Sequence, residues 1–350
     1  MLKTTIVLAL TGAALFIQAN ARAAAGCDAD MHAGPNSIAV MSGGQEQRVD
    51  LVLPRSFAPG KSVPLVIGLH PSGGTGADID EDTGLSAAAD AKGFAVMFSL
   101  GAIRRQRADG TYGHFWNIPG VPLIGGDAVP SGTRDDVRFI ADAIDQVVKH
   151  NCVDARRIYV TGMSGGARMS SMVGCRLADR VAAVAPVAGL RAGRAASPDF
   201  KEPETTDCQP SRAISVLAIH GTDDPTNPFP GGEGLRWGYS IERAAARWAS
   251  LDHCDAKPAT EKVSAHVSRV RYGACGSRTE VVLYRIELPR DQGGGHVWPG
   301  GKRDLATRAA PQAATGGSAP LGTPAAGGAP TRAAAELDAT QVVLDFFAQH

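Results

Sequence analysis

The sequence has few aromatic residues and no net charge. Phe, Trp and Tyr make up 5% of its 350 residues, and 35 lysines and arginines balance 35 aspartates and glutamates. A chain without net charge neither attracts a polyanion nor steers a charged substrate from a distance, so nucleic acid is not an expected partner. The 42 glycines and the abundant alanines are instead typical of helices packed closely on a sheet.

The apolar runs of the sequence are also short. Its N-terminus shows Lys3, an apolar run over Ile6–Ile17, and the small-residue motifs Ala19-Asn20-Ala21 and Ala21-Arg22-Ala23. The run is too short to span a bilayer, and this order of features is typical of a signal peptide. We therefore expect residues 1–23 to be a signal peptide, the protein to be secreted or periplasmic, and no later segment to cross a membrane.

No two of the six cysteines stand in C-x-x-C spacing. In an exported chain an even, dispersed set favours disulfides over zinc, so we expect no metal. We predict a bond between Cys254 and Cys275, and the other pairings stay open. The segment Ala24-Ala25-Gly26 before Cys27 loosely resembles a lipoprotein attachment site, but the polar residues that precede it favour a protein without a lipid anchor.

Apolar runs of strand length alternate with segments of helical periodicity. We predict strands over 37–41, 47–53, 64–69, 94–100, 157–161, 181–187, 214–219 and 281–288, and helices over 77–91, 131–150, 165–178, 240–251 and after Asp338. This alternation indicates an α/β protein whose central sheet is mostly parallel and covered by helices on both faces. We expect one catalytic domain over residues 24–350, with a flexible low-complexity insertion at about 302–334.

Ser164 stands in Gly162-Met163-Ser164-Gly165-Gly166, between a β-branched run and a helical run. Strand, sharp turn and helix in this order are typical of a nucleophile elbow, in which small flanking residues let the backbone turn and lift the hydroxyl clear of the sheet. A serine hydroxyl is a poor nucleophile at neutral pH, so it requires a base beside it and an acid that orients the base. Ser164 is therefore the candidate nucleophile.

Candidates for the acid and the base follow later strands. Asp223 and Asp224 lie three and four residues after His220, where a predicted strand ends, and the residues themselves do not choose between them. His296 lies in a glycine-dense loop beyond the strand that begins at Val281. Because ligands bind where the carboxyl ends of parallel strands meet, we expect these side chains to converge on Ser164. Their order along the chain, Ser, Asp, His, is typical of α/β-hydrolases.

An oxyanion hole requires two backbone N–H groups that point to one position. Gly165 follows the candidate nucleophile and supplies one of them. The other is expected from the loop after the strand that ends at Leu69, and because Pro71 has no N–H, Ser72 is the candidate donor. A plain glycine turn explains this loop as well.

Taken together, these segments resemble the polyhydroxybutyrate depolymerase and feruloyl esterase branch of the α/β-hydrolases. The resemblance rests on Leu69-His70-Pro71-Ser72-Gly73-Gly74, Phe115-Trp116-Asn117, Asp135-Asp136-Val137, Tyr159-Val160-Thr161-Gly162-Met163-Ser164-Gly165-Gly166, Val184-Ala185-Pro186-Val187-Ala188-Gly189, His220-Gly221-Thr222-Asp223-Asp224-Pro225 and Gly295-His296-Val297-Trp298-Pro299-Gly300. It implies an α/β-hydrolase fold, and it selects Asp224 over Asp223 as the acid. Pro71 departs from the family, which usually has glycine there.

The expected activity is that of a secreted serine esterase with the triad Ser164, Asp224 and His296 and no cofactor. Its substrates would be hydroxybutyrate-type oligoesters or feruloyl and acetyl esters, with Trp116 and Trp298 as candidate walls of the substrate site; core packing explains these tryptophans equally well. The alternatives are an acyltransferase of the same fold and a non-catalytic binding protein on this scaffold. The oligomeric state stays open.

Overall fold

The computed structural model describes residues 31–58, 60–150, 152–306 and 332–350. The expected signal peptide, Cys27 and most of the expected insertion lie outside these residues. The short helices Lys302–Ala306 and Arg332–Glu336 occupy the two ends of the range that was expected to be an insertion. Within the described part of the chain, no helix is both long and apolar enough to cross a membrane.

Ten of the strands found in the described ranges form one sheet. Their order across the sheet is β1-β2-β4-β3-β7-β8-β9-β12-β11-β10, and β5 pairs only with β6. The strands are β1 Gly34–Ser42, β2 Gln45–Leu53, β3 Val63–Leu69, β4 Ala95–Phe98, β5 Ile103–Gln106, β6 Tyr112–Phe115, β7 Val153–Met163, β8 Ala183–Val187, β9 Ser215–Gly221, β10 Ala259–Lys262, β11 Val267–Tyr272 and β12 Val281–Ile286.

The strands from β4 to β12 in this order pair in parallel, whereas both ends of the sheet are antiparallel. The β1–β2 hairpin turns at Gly43 and Gly44, between the strands that the sequence predicts over 37–41 and 47–53. Strands β10 and β11 and the small β5–β6 hairpin are absent from the sequence-based prediction. Their short, charged segments do not show the apolar runs by which the central strands were predicted.

The helices lie between the strands along the chain. They are α1 Gly76–Thr83, α2 Leu85–Ala91, α3 Asp136–Lys149, α4 Gly165–Arg176, α5 Gly234–Trp237, α6 Ile241–Leu251, α7 Lys302–Ala306, α8 Arg332–Glu336 and α9 Ala339–Gln349. The prediction of one helix over 77–91 is wrong, because Gly84 adopts a left-handed conformation (φ 63°) that ends α1. Helix α3 begins later than predicted, since the Asp135 carboxylate caps it by accepting from the N–H groups of Val137 and Arg138.

The sheet buries both of its faces. Neighbouring residues of β3 alternate between two hydrophobic cores: Leu65 and Ile67 join the core that includes α3, α4 and α6, and Val66 joins the core that includes α1, α2 and α9. A strand buried on both faces has no polar alternation, which is why β3 reads as a continuous apolar run. The expected α/β architecture, a mostly parallel sheet with helices on both faces, is confirmed.

Two disulfides join described cysteines. Cys254 bonds Cys275, as predicted, and Cys175 bonds Cys208. The first bond ties the end of α6 to the loop after β11, close to Asp252. This aspartate is fully buried, and its Oδ1 accepts a hydrogen bond from the Ile214 N–H at 3.1 Å. Burial raises the pKa of Asp252 to about 7, against the opposing effect of that hydrogen bond.

Asp252→Asn should therefore change how stability depends on pH. The folded-state pKa lies above the unfolded value, so the wild-type protein loses stability as the pH rises from about 4 through 7, by up to about 4 kcal/mol. Asn carries no titratable charge and keeps the oxygen that Ile214 requires. Denaturant unfolding between pH 4 and pH 8 should show that the free energy of unfolding of Asp252→Asn increases relative to that of the wild type as the pH rises. The exposed Asp255→Asn is the control, and a constant difference between Asp252→Asn and wild type would contradict the prediction.

Candidate active site

Ser164 occupies a sharp turn between β7 and α4. Its backbone is strained, with φ 57° and ψ −113°, and its N–H donates to the Val187 carbonyl at 3.0 Å. Gly162 and Gly166 flank the turn because a Cβ at either position would collide with the backbone near Leu69; at Gly162 it would lie 2.6 Å from the Leu69 oxygen. Ser164 as a whole residue is 7% exposed. The turn has the geometry that the pentapeptide predicts.

The carboxylate of Asp224 bonds the ring of His296. The distance from Oδ2 to Nδ1 is 2.7 Å, the carboxylate is fully buried, and the His296 side chain is 17% exposed. Oδ1 accepts from the N–H groups of Thr226 and Asn227, both at 2.8 Å. Because a carboxylate only accepts, Nδ1 carries the proton when the ring is neutral, and Nε2 is then free to accept one.

Asp224 stays ionised at any ordinary pH. Burial by itself raises the pKa of its carboxyl, but the nearby His296 and the hydrogen bonds from His220 and His296 outweigh that effect and hold the pKa well below its usual value. Asp223 points elsewhere: it pairs with Arg290, with Oδ1 to Nη2 at 3.0 Å, and its side chain is 42% exposed. Of the two aspartates, the structure therefore brings only Asp224 to His296.

Four parallel strands bring these loops to one edge of the sheet. Backbone N–H groups just past the ends of β7, β8 and β9 donate to the end of a neighbouring strand or to the His296 loop: Ser164 to Val187 at 3.0 Å, Ala188 to Ile219 at 2.9 Å, Thr222 to Ile286 at 2.9 Å and Asp223 to Gly294 at 3.0 Å. The backbone hydrogen bonds that join neighbouring strands thus continue beyond β7, β8, β9 and β12 into the loops. It fixes the positions of the serine turn, the aspartate loop and the histidine loop relative to one another.

The loop after β3 lies against the start of α4. A Cβ at Gly165 would sit 3.1 Å from the backbone nitrogen of Ser72 and closer still to its hydroxyl, so glycine allows this approach without displacing the loop. Within the described residues the Ser72 N–H has no acceptor, while Gly73 and Gly74 donate to His114 and Pro71. The loop that carries Ser72 therefore lies against Gly165, and the Ser72 N–H is free to donate.

His70 holds this loop from below. It is fully buried, with Nδ1 2.8 Å from the Pro71 carbonyl and Nε2 3.0 Å from the Gly101 nitrogen. A carbonyl only accepts and an amide N–H only donates, so the ring is neutral with its proton on Nδ1. Trp116 stacks on this ring at 4.6 Å between centroids, and its Nε1 donates to the His70 carbonyl at 2.8 Å. The arrangement clamps the loop that carries Ser72.

The expectation that Trp116 and Trp298 wall a substrate site is wrong for this structure. Trp116 is 3% exposed and packs under the Ser72 loop, whereas Trp298 is fully buried and donates to the Thr340 hydroxyl at 2.9 Å. Neither ring has a free face, because core contacts cover both of them. Their contribution is to hold the loops that carry Ser72 and His296.

Asp136, in the segment Asp135-Asp136-Val137, holds two other segments of the chain in place. Its buried carboxylate accepts from the N–H groups of Ala102 and Asn117, at 3.0 and 2.8 Å, and from the Arg134 guanidinium at 2.7 Å. This carboxylate therefore fixes the two segments, around Gly101 and Trp116, that contact His70. A residue at a helix start thus supports the Ser72 loop through two other segments.

Asn227 and His220 also belong to the site, and sequence reasoning gave them no such role. His220 Nε2 lies 2.9 Å from the Asn227 carbonyl and 3.3 Å from Asp224 Oδ2. The Asn227 amide donates to the Ala188 carbonyl at 2.5 Å and accepts from Arg168 at 2.9 Å. An aspartate that can cap the N–H groups two and three residues later is typical of a turn, and that spacing could have indicated Asn227. No group of three or more metal-ligating side chains gathers among the described residues.

Burial lowers the pKa of His70 to about 4, so its proton uptake should destabilise the fold in mild acid. The folded-state value lies below the unfolded value of 6.5, so this residue contributes stability at pH 7 that is lost as the pH falls from about 6.5 to 4, about 3 kcal/mol in all. His70→Gln keeps a donor and an acceptor without that titration. Denaturant unfolding at pH 7 and pH 4.5 should show that His70→Gln loses less free energy of unfolding between these two pH values than the wild type does. Equal losses would contradict the lowered pKa of His70. The exposed His32→Gln is the control.

Residues 49–200 match the family model described as Esterase PHB depolymerase. The matched segment contains Ser72, Ser164 and Gly165, and it ends before Asp224 and His296. Feruloyl esterase B of Piromyces equi is 29% identical over 263 residues, which are 73% of this chain and 44% of that protein. Feruloyl esterase C of Emericella nidulans is 29% identical over 192 residues, 53% of this chain and 57% of that protein.

The chain spans only part of the length of these curated relatives. A protein of Nocardia uniformis subsp. tsuyamanensis, also named as an esterase, is 28% identical over 68% of this chain and 66% of its own length. Among solved structures, an acetyl xylan esterase from Aspergillus awamori aligns with a TM-score of 0.47 and 16% identity, over 75% of this chain and 95% of that one. Over residues 49–200 the chain is therefore similar to the Esterase PHB depolymerase family, which bears out the resemblance expected from its motifs.

Proposed function

We propose that this protein is a serine esterase that cleaves carboxylic ester bonds with Ser164, His296 and Asp224. The observation that carries the proposal is the buried bond of 2.7 Å from Asp224 to His296, at the sheet edge where Ser164 occupies its strained turn. That combination supplies a nucleophile, a base and an oriented acid. The relatives named above are esterases by name, which supports the same reaction class.

In the proposed reaction Ser164 Oγ attacks the ester carbonyl while His296 Nε2 accepts its proton. The Asp224 carboxylate holds the proton on Nδ1 and stabilises the imidazolium that forms. The N–H groups of Ser72 and Gly165 donate to the oxyanion of the tetrahedral intermediate. His296 then returns the proton to the leaving alcohol, and a water molecule, activated by the same base, releases the acid and restores Ser164.

The proposed setting is outside the cytoplasm. Disulfides persist in oxidising compartments, and the bonds Cys175–Cys208 and Cys254–Cys275 support export of a single catalytic domain. Oligoesters of hydroxy acids, feruloyl esters and acetyl esters all suit this reaction. A panel of hydroxybutyrate dimer, methyl ferulate and acetylated xylan distinguishes these substrates.

Ser164→Ala should abolish hydrolysis of 4-nitrophenyl acetate, because no hydroxyl remains to form the acyl-enzyme. The rate should fall by at least about 10⁴-fold, to that of the residual catalysis by binding and the oxyanion donors. Ser211→Ala, at an exposed serine, is the matched control. Labelling with a fluorophosphonate should mark the wild type and not Ser164→Ala. An unlabelled wild type would favour a non-catalytic protein, and product transfer to added alcohols would favour an acyltransferase.

Asp224→Asn and Asp223→Asn form a matched pair that tests which carboxylate is the acid. Asn at 224 can donate to Nδ1 and so favours the wrong tautomer of His296, which should lower kcat by roughly 10⁴-fold. Asn at 223 loses only the exposed pair with Arg290 and should change kcat less than about threefold. Steady-state kinetics on 4-nitrophenyl acetate measures both, and the reverse ranking would move the acid to Asp223.

A further inference from the structure

Three arginine side chains meet beside the helix that begins after Ser164. Arg168 lies on α4, Arg191 follows β8, and Arg236 lies in α5. Arg168 is 3% exposed and Arg191 is 7% exposed. Burial, together with the charges of Arg191 and Arg236, holds the pKa of Arg168 well below its usual value. The fold therefore gathers like charges in a place with little water.

No carboxylate among the described residues forms an ion pair with these arginines. Arg168 donates to the Arg236 carbonyl at 2.6 Å and to the Asn227 amide at 2.9 Å, and its buried Nε has no partner. Arg191 donates to the carbonyls of Leu190 and Trp237, at 3.0 and 3.1 Å. Neutral acceptors satisfy part of the hydrogen-bonding capacity but none of the charge.

The nearby carboxylate of Asp224 does not fill this role. Its charge favours the protonated forms of both Arg168 and Arg191, but its two oxygens already accept from His296, Thr226 and Asn227. Buried charges without a partner cost free energy that an incoming anion can offset. The cluster thus has an unmet requirement for negative charge.

Arg168 and Arg191 line a narrow cleft with about 20 Å³ of space for the centre of a water-sized sphere, and the exposed Arg194 lines it as well. The other walls are mostly apolar and include Ile118, Val121, Met172, Leu235, Trp237 and Tyr239. A concave site with apolar walls and a few convergent polar groups is typical of a ligand site. Here the polar groups are mainly guanidinium groups, which bind a carboxylate with two parallel hydrogen bonds.

The cleft lies next to the proposed nucleophile. The backbone N–H of Arg168 donates to the Ser164 carbonyl at 3.1 Å, so Arg168 lies one turn of α4, about 6 Å along the helix axis, from Ser164. Its guanidinium donates to Asn227, whose N–H donates to Asp224. Ser171 and Met172, one turn further on, line the same cleft.

We propose that this cleft is a carboxylate-binding subsite and that the preferred substrates are esters with a free carboxylate on the acyl or the alcohol part. The proposal rests on the proposed function for the ester that reacts, and it names the chemistry of the rest of the substrate. Hydroxy-acid oligomers with a free acid end and half-esters of dicarboxylic acids belong to this class. Methyl ferulate and acetylated xylan have no such carboxylate.

Two matched substrate pairs test the subsite. Mono-4-nitrophenyl adipate and its terminal amide place the charge on the acyl part, and the ester dimer of 3-hydroxybutyrate and its terminal amide place it on the alcohol part. At pH 7.5 we expect the acid of at least one pair to have a kcat/KM about tenfold or more above that of its amide, mainly through a lower KM. The pair that discriminates shows which part of the ester faces the cleft. Equal kcat/KM values in both pairs would overturn the proposal.

Substitutions at the arginines test whether the preference for acids over amides arises in the cleft. Arg168→Gln and Arg191→Gln should each bring the ratio of acid to amide close to one, because they remove the charge and keep polar side chains. Arg156→Gln removes a 90% exposed arginine near the opposite end of β7 and should leave the ratio unchanged. If the cleft variants do not fold, the wild-type comparison of acids with amides decides alone.

A binding measurement separates this inference from the proposed function. In Ser164→Ala protein the hydroxybutyrate dimer acid should raise the melting temperature more than its amide does, and Arg168→Gln in the same background should remove the difference. A wild type that does not hydrolyse 4-nitrophenyl acetate while this shift persists would refute the esterase and leave the subsite standing. Hydrolysis of 4-nitrophenyl acetate without any preference for acids or any shift would refute the subsite alone.

Discussion

The buried hydrogen bond between Asp224 and His296 is the interaction on which the site depends. A carboxylate removed from water is unfavourable unless its oxygens accept hydrogen bonds. Here Oδ1 accepts from two backbone N–H groups, and Oδ2 accepts from the imidazole of His296. The bond fixes which nitrogen of His296 carries the proton. It also requires that the loops after β9 and β12 meet, so the order of strands in the sheet is itself part of the chemistry.

Close backbone approach makes this convergence possible. Gly162, Gly165 and Gly166 let the serine turn, the loop after β3 and the start of α4 lie nearer than side chains would allow. Buried side chains then hold the loops from behind, with His70 and Trp116 under one and Trp298 under another. Residues that have no contact with a substrate thus determine the geometry of those that are proposed to react.

The arginine cluster shows that net charge describes the chain and not its sites. Positive and negative residues balance at 35 each, yet Arg168 and Arg191 are buried together without a carboxylate partner among the residues described. A balanced composition excludes long-range attraction, since distant charges are screened. It has no bearing on a short-range preference inside a cleft, where a guanidinium is held in a place with little water.

The sequence by itself determined the local features. The glycines around Ser164 require a sharp turn, apolar runs mark the parallel strands, and the order of Ser164, Asp224 and His296 follows from which strands precede them. The resemblance to a family selected Asp224, and the tertiary structure gives the reason, because Asp224 bonds His296 whereas Asp223 pairs with Arg290. Only the tertiary structure buried Trp116 and Trp298, divided the helix at Gly84 and assembled the arginines of α4, α5 and the loop after β8. The physical reason is the separation along the chain of the groups involved. Backbone conformation depends on neighbouring residues, whereas burial, charge pairing and side-chain direction depend on groups that are far apart in the sequence.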